Sequence, residues 1–291
     1  MVHKYKGAET KKYFDSLAGG YFNAHAFRDE IFLKLILPEY KKKNKGKIAI
    51  LDFGCGGGAF LLKLLEKGVD GKGIEKHSEL HHLAQKRLEE SGYDKENVIK
   101  GSIKELDILP KNSFDFVILM GVLQYLSPEL RTQLYEKINR LLKPKGHMVA
   151  TFQNALFDLF TFNKYTVDFF QEKLFKPLGL EKSFGKEIIS DLKSLISHPD
   201  KPDYSNKIAR DNIYVETTNP LTIGEELFKY NLRLTQKYFY GFFPLPRLIE
   251  NKYDKDKIEK FKKQFEVVRS KEWYGHLLAN AFVVDCVKKK K

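Results

Sequence analysis

The run Ile48-Ala49-Ile50-Leu51-Asp52-Phe53, cut off by Gly54-Cys55-Gly56-Gly57-Gly58, constrains this chain more than any other feature. Near-continuous apolarity over six residues reads as a strand buried on both faces, the habit of parallel strands. Ala59 to Lys67 follows, with Phe60, Leu61, Leu64 and Leu65 at helical spacing and Gly68 placed to end the helix. Strand, glycine-rich turn and helix in that order predict a parallel sheet with crossover helices.

The alternation continues. Gly71 to Glu75 reads as a strand, Ser78 to Ser91 as a helix, and Asn97 to Ser102 and Phe114 to Met120 as strands. Pro128 to Leu142 reads as a helix stopped by Pro144 and Gly146, and His147 to Phe152 as a fifth strand. After a long interruption come a helix at Ile223 to Lys229 and strands at Leu232 to Tyr240 and Ala281 to Val287. The expected fold is α/β: a doubly wound, Rossmann-like, mostly parallel sheet of seven strands. Residues 9–36 read as helical, through Tyr13, Phe14, Leu17, Phe27, Ile31, Phe32 and Leu35. Residues 154–220 lack alternation and are rich in aromatics, and an interruption of that length is too long for an ordinary loop. Four parts are expected: an N-terminal helical segment over residues 1–47, a ligand-binding core over 48–153, an inserted helical cap over 154–220, and the C-terminal part of the sheet over 221–291.

The glycine turn carries the chemistry. Glycines there allow a tight turn and bring a ligand against the backbone. Glu75, at the end of the next strand, can accept both hydroxyls of a ribose. Together they point to an adenosine-containing cofactor. Gly54-x-Gly56-x-x-Ala59 also fits a dinucleotide fingerprint, but Asp52 would repel a pyrophosphate and suits a bound amino group better.

The chain resembles the class I S-adenosylmethionine-dependent methyltransferases, well over residues 48–153 and loosely over 221–289. The resemblance rests on Ile50 to Phe60, on Glu75, on Gly101-Ser102-Ile103, on Phe114 to Met120 with Gly121-Val122-Leu123-Gln124-Tyr125-Leu126, and on Leu141-Leu142-Lys143-Pro144-Lys145-Gly146. It implies S-adenosylmethionine as cofactor and S-adenosylhomocysteine as product. It implies Asp52 near the methionine end, Gly54, Cys55 and Gly56 lining the cofactor, Glu75 and Lys76 at the ribose, Ser102 and Ile103 at the adenine, and Met120 and Gly121 beside the methyl. Tyr21 and Arg28 precede the core where relatives cover the cofactor, and Arg28 could pair with its carboxylate. Tyr125 stands where small-molecule members often carry His, so a His-dependent mechanism from that position is not expected. Tyr125 and Asn154 are the catalytic candidates. No metal is expected, because His81-His82 has no third ligand nearby in sequence.

The insert bears a weaker resemblance to methyltransferases of surface-polysaccharide pathways, carried by Phe162-Asn163-Lys164-Tyr165 and Asn219-Pro220-Leu221. It implies a glycan, nucleotide sugar or similar polar metabolite as acceptor. Aromatic residues interleaved with polar groups suit such a ligand. Gln124, Asn163, Tyr165, Tyr214, Glu216, Asn219 and Tyr240 are the candidate acceptor contacts.

Charge bears on the alternatives. The formal charge is +13, from 51 Lys and Arg against 38 Asp and Glu, yet only eight of the 51 are Arg. Phosphate-reading surfaces recruit Arg forks, so dispersed Lys speaks against a nucleic-acid groove. An RNA or protein methyltransferase is the second reading, and a cofactor-binding regulatory module without turnover the third. No apolar run is long enough to span a membrane, and the first residues lack the apolar stretch of a secretion signal. Two distant cysteines suit a reducing compartment, so a cytoplasmic protein is expected. Nothing in the sequence sets an oligomeric state.

Overall fold

The computed structural model describes residues 22–42, 48–161, 164–180, 182, 184–196, 216–243, 253–269 and 271–289. In chain order the elements begin with α1 (Phe22–Lys42), β1 (Ala49–Phe53), α2 (Ala59–Leu65), β2 (Asp70–Glu75), α3 (Ser78–Glu90), β3 (Val98–Lys100) and β4 (Phe114–Leu119). Next come α4 (Pro128–Leu141), β5 (Leu142–Asn154), α5 (Ala155–Thr161), α6 (Lys164–Phe169) and α7 (Phe184–Ile196). The remainder is β6 (Thr217–Thr218), α8 (Ile223–Phe228), β7 (Leu232–Phe242), α9 (Lys255–Arg269), α10 (Gly275–Leu278) and β8 (Ala279–Lys288).

The strands lie in the order β3-β2-β1-β4-β5-β8-β7, with the two-residue β6 off that path, so among the described residues the sheet has eight strands where seven were expected. β1 runs parallel to β2 and β4, β2 to β3, and β4 to β5. Parallel strands inside such a sheet are covered on both faces, and all six residues of β4 are accordingly buried. On β2, Gly71 and Gly73 share one face. A Cβ at Gly71 would stand 2.8 Å from Leu61 Cδ1, and one at Gly73 2.7 Å from Cys55 Sγ. These glycines let α2 and the turn before it press against the sheet.

Three boundaries differ from expectation. The helix from Pro128 ends at Leu141, and β5 begins at once rather than at His147. The pairing of β4 with β5 jumps from Phe114↔Leu142 to Phe116↔His147, so Lys143 to Gly146 bulge out of the ladder. Pro144 and Gly146 shape this bulge instead of ending an element; a Cβ at Gly146 would lie 2.9 Å from the Lys143 carbonyl oxygen. The third strand is only Val98–Lys100, and α1 runs on through Pro38 to Lys42. Residues 9–21 of the expected N-terminal helix lie outside the described residues.

The chain divides into two compact units. One comprises residues 23–153, 221–238 and 282–291, the other 1–22, 154–220 and 239–281. In the first, α1 buries Ile31, Phe32 and Ile36, and the Phe32 ring meets Phe60 of α2 edge-on at 5.7 Å. In the second, α5 and α6 are followed by a π-turn at Phe170–Phe175 and by α7. Phe157 packs on Phe243 at 5.4 Å and Phe239 on His276 at 4.6 Å.

Candidate cofactor site

The sheet order reverses between β1 and β4: β1 leads outward to β2 and β3, β4 to β5. In open α/β sheets ligands bind beyond the carboxyl ends of the strands at such a switch point. The glycine turn after β1 and the Met120–Leu126 segment after β4 meet there. Gly54 takes φ of +75°, and a Cβ on it would lie 2.5 Å from Val122 Cγ2. Its N–H and that of Cys55 both donate to the Ile74 carbonyl, at 2.7 and 3.1 Å. Gly56 also has positive φ, but no heavy atom lies within 4 Å of where its Cβ would be. The turn is therefore held close to β2 and to Val122 and is open at Gly56.

Glu75 closes β2 and is 5% exposed. One carboxylate oxygen accepts from the Gly56 N–H at 2.9 Å, the other from the His77 N–H at 2.8 Å. A carboxylate oxygen has two lone-pair sites, so each retains one for a further donor. Glu75 thus ties the glycine turn to β2 and still presents two acceptors, as a ribose diol requires.

Asp52 is 2% exposed, and its Oδ1 has no hydrogen-bond partner. Burial pushes its carboxyl up to about 7; Arg28 opposes the rise, and Glu75 and Asp29 add to it. Arg28, on α1, donates from Nη2 to Asp29 Oδ1 at 3.1 Å, while its Nε is buried and unpaired. Asp29 also accepts from Lys63 Nζ at 2.6 Å. Buried polar atoms are normally satisfied. An unpaired acid oxygen and an unpaired guanidinium nitrogen within electrostatic reach of each other fit a ligand bearing both an ammonium and a carboxylate.

The segment after β4 contains two further groups. The Gly121 N–H donates to Thr151 Oγ1 at 2.7 Å. Gln124, 8% exposed, has its Oε1 buried and unpaired, and Tyr125 is half-buried at the end of the Leu123–Tyr125 turn. After β3, Ser102 caps the 3-10 helix Ile103–Ile108, and its Oγ donates to Glu105 Oε2 at 2.9 Å. Met120 and Ile103 are half-buried and Lys76 is exposed. Burial pushes the Cys55 thiol far up, so Cys55 acts as a packing group rather than a thiolate.

Residues 50–146 match the methyltransferase domain family. Among solved structures, the chain is similar to the magnesium protoporphyrin IX methyltransferase of Synechocystis PCC 6803 with bound S-adenosylhomocysteine. Identity is 12%, 91% of this chain and 84% of that one are covered, and the TM-score is 0.50. It is also similar to a SAM-dependent methyltransferase from Archaeoglobus fulgidus, at 18% identity, 92% and 99% coverage and a TM-score of 0.48. No curated protein matches the chain. The sheet order is Rossmann-like, and the stretch over residues 50–146 is similar to the methyltransferase domain family. The family match is confined to residues 50–146, a third of the chain, and the likeness to the solved structures is one of fold.

The other expected site residues are distributed as follows. Asn154 belongs to the second unit and is 1% exposed. Its Nδ2 lies 3.3, 2.8 and 2.7 Å from the carbonyls of Gly275, His276 and Ala279, and its Oδ1 accepts from the Leu156 N–H at 3.0 Å. That amide is spent on holding α5 and α10 together. Glu216, Asn219 and Tyr240 also belong to the second unit, Glu216 and Tyr240 half-buried and Asn219 exposed. Tyr21, Asn163 and Tyr214 lie outside the described residues, and Tyr165 is described only as part of α6. Among the described residues no three His, Cys, Asp or Glu come together as a metal site, and no helix is long and apolar enough to cross a membrane. His81 places its Nε2 3.1 Å from the Val98 carbonyl. Sequence reasoning missed Asp29, Thr151 and the three arginines Arg87, Arg131 and Arg140; the scarcity of Arg in a Lys-rich chain was the available signal.

Proposed function

We propose that the protein transfers the methyl group of S-adenosylmethionine to a hydroxyl of a small polar acceptor: a sugar, nucleotide sugar or glycan. The observation that carries the cofactor half is the buried pair of unsatisfied groups, Asp52 Oδ1 and Arg28 Nε, behind an open glycine turn. In this reading Asp52 accepts from the cofactor's ammonium, Arg28 faces its carboxylate, and Glu75 takes the ribose hydroxyls with Lys76 at the rim. Ser102 and Ile103 flank the adenine, Cys55 and Gly54 line the turn, and Met120 and Gly121 stand by the methyl.

Bound S-adenosylmethionine supplies an electrophilic methyl on a sulfonium. The chain's work is alignment, holding the acceptor oxygen in line with the sulfur–methyl bond, so that the oxygen–methyl bond forms as the sulfur–methyl bond breaks, S-adenosylhomocysteine leaves and the hydroxyl proton passes to solvent. Gln124 Oε1, buried and unpaired, supports a protic acceptor, since it can accept from an acceptor hydroxyl. Tyr125 orients the same group. Glu216, Asn219 and Tyr240, with Asn163, Tyr165 and Tyr214, are the proposed sugar contacts. No metal takes part in this scheme, and the free, buried Cys55 and Cys286 suit a cytoplasmic setting.

The test is methyl transfer from labelled S-adenosylmethionine to a panel of sugar nucleotides, glycans, amines, phenols and RNA. Labelled sugar is the expected product. Label in another class with none in sugars would sink the sugar assignment and leave the methyltransferase in place.

A further inference from the structure

Three of the eight arginines share an unusual task. Arg87, on α3, donates from Nη1 to the Gly57 carbonyl. Arg140, on α4, donates from Nη1 to the Leu109 carbonyl at 2.9 Å and from Nη2 to the Leu106 carbonyl. Arg131, also on α4 and 6% exposed, donates from Nε to the Leu123 carbonyl at 2.9 Å. Gly57 and Leu123 lie in the segments that leave β1 and β4 at their carboxyl ends, whereas Arg140 stands beside the amino end of β4, where its carbonyl accepts from the Asn112 N–H at 3.1 Å.

We propose that Arg87 and Arg131 are positioning residues for the cofactor, each fixing one of the two loops that meet at the switch point by a main-chain carbonyl. The proposal rests on the cofactor site described above. The glycine turn has almost no side chains by which it could be fixed, and glycine backbone is the most permissive. Its main-chain groups are instead tied from outside: Gly54 N–H to Ile74, Gly56 N–H to Glu75, Gly57 carbonyl to Arg87. α3 presses close there, since a Cβ on Gly57 would meet Leu83 Cδ2 at 2.9 Å and Arg87 Nη1 at 3.3 Å. Arg140 uses both arms of its fork on carbonyls three residues apart, a geometry the single ammonium of Lys does not reproduce. A loop set before the ligand arrives loses less freedom on binding, so the Arg87 and Arg131 contacts raise affinity without touching the ligand.

The experiment compares Arg87→Lys, Arg140→Lys and Arg131→Lys with wild type and with Glu75→Gln. The readouts are calorimetric Kd for S-adenosylhomocysteine, the ligand-free thermal midpoint, and amide exchange over residues 54–58, 101–109 and 121–126. Arg87→Lys and Arg131→Lys are each expected to raise Kd about five- to tenfold, and Arg140→Lys, at the amino end of β4, to leave it at the wild-type value, with every midpoint within roughly 2 °C of wild type. Exchange should rise in the loop that Arg87 or Arg131 holds and be restored by saturating S-adenosylhomocysteine. Arg87 is half-buried, so its variant carries the test if Arg131→Lys does not fold. Wild-type Kd in Arg87→Lys and Arg131→Lys, with binding lost in Glu75→Gln, overturns the positioning role alone. So does a raised Kd accompanied by a general fall in midpoint and faster exchange across the whole core. Wild-type Kd in Glu75→Gln, or no binding by wild type, overturns the cofactor site on which the proposal stands.

Discussion

Asp52 is a buried carboxyl with an oxygen that the folded protein alone leaves unsatisfied. Its carboxyl rises from an ordinary 3.8 to about 7, with burial as the largest cause. Between those values the folded state holds a proton that the unfolded state has lost. Stability from this group is therefore present at low pH and falls as pH rises from about 4 to about 7. The gap corresponds to roughly 4 kcal/mol. Asp52→Asn should raise the ligand-free midpoint at pH 8, by roughly 2–4 °C for each kcal/mol regained, and flatten its pH dependence. The same variant should bind S-adenosylmethionine more weakly, because a neutral amide cannot pair with an ammonium. For wild type, affinity should strengthen as pH rises through about 7, where Asp52 ionises. Calorimetry at pH 6 and 8 measures this, and equal affinities would remove Asp52 from the site. Tyr125→Phe should lower turnover with the true acceptor by about tenfold or more while leaving cofactor affinity unchanged; a wild-type rate would make Tyr125 a packing residue. The positions of Asp52 and Glu75 at strand ends were legible in the sequence because the motif fixes them, whatever their roles. Asn154 was not, because its role depends on carbonyls more than a hundred residues away.

At the scale of elements, the glycine turn is the part least tolerant of change. Gly54→Ala would add a Cβ 2.5 Å from Val122 Cγ2 at a backbone φ of +75°. A non-glycine residue there costs on the order of 1 kcal/mol before the collision is counted. Loss of cofactor binding with retained helical circular dichroism is expected; Gly54→Ala with wild-type affinity would mean that the turn and the β4 loop do not meet as described. Strand and helix identity were legible wherever apolar spacing was strong, as in β1, α2 and β4. The ends were less so. Pro144 and Gly146 look like terminators, yet strand pairing with β4 carries β5 across them as a bulge. Pro38 looks like the end of α1, but the helix continues to Lys42.

For the molecule as a whole, sheet order decides what the chain can bind. β3-β2-β1-β4-β5 places the switch point between β1 and β4, and the glycine turn, Asp52, Glu75 and Gln124 all belong to the unit that contains it. The charge of +13 has its own explanation at this scale. Lys supplies the excess, while Arg28, Arg87, Arg131 and Arg140 donate to Asp29 or to main-chain carbonyls within the core. The aromatic-rich insert was recognisable by its lack of alternation, but its acceptor cannot be read from composition, because aromatic residues serve core and pocket alike. Calorimetric titration of the purified protein with S-adenosylmethionine, S-adenosylhomocysteine and NAD tests the central claim most directly. The account predicts micromolar binding of the first two, weakened by Glu75→Ala, and no heat with NAD; binding of NAD alone, or heat from none of the three, would contradict it.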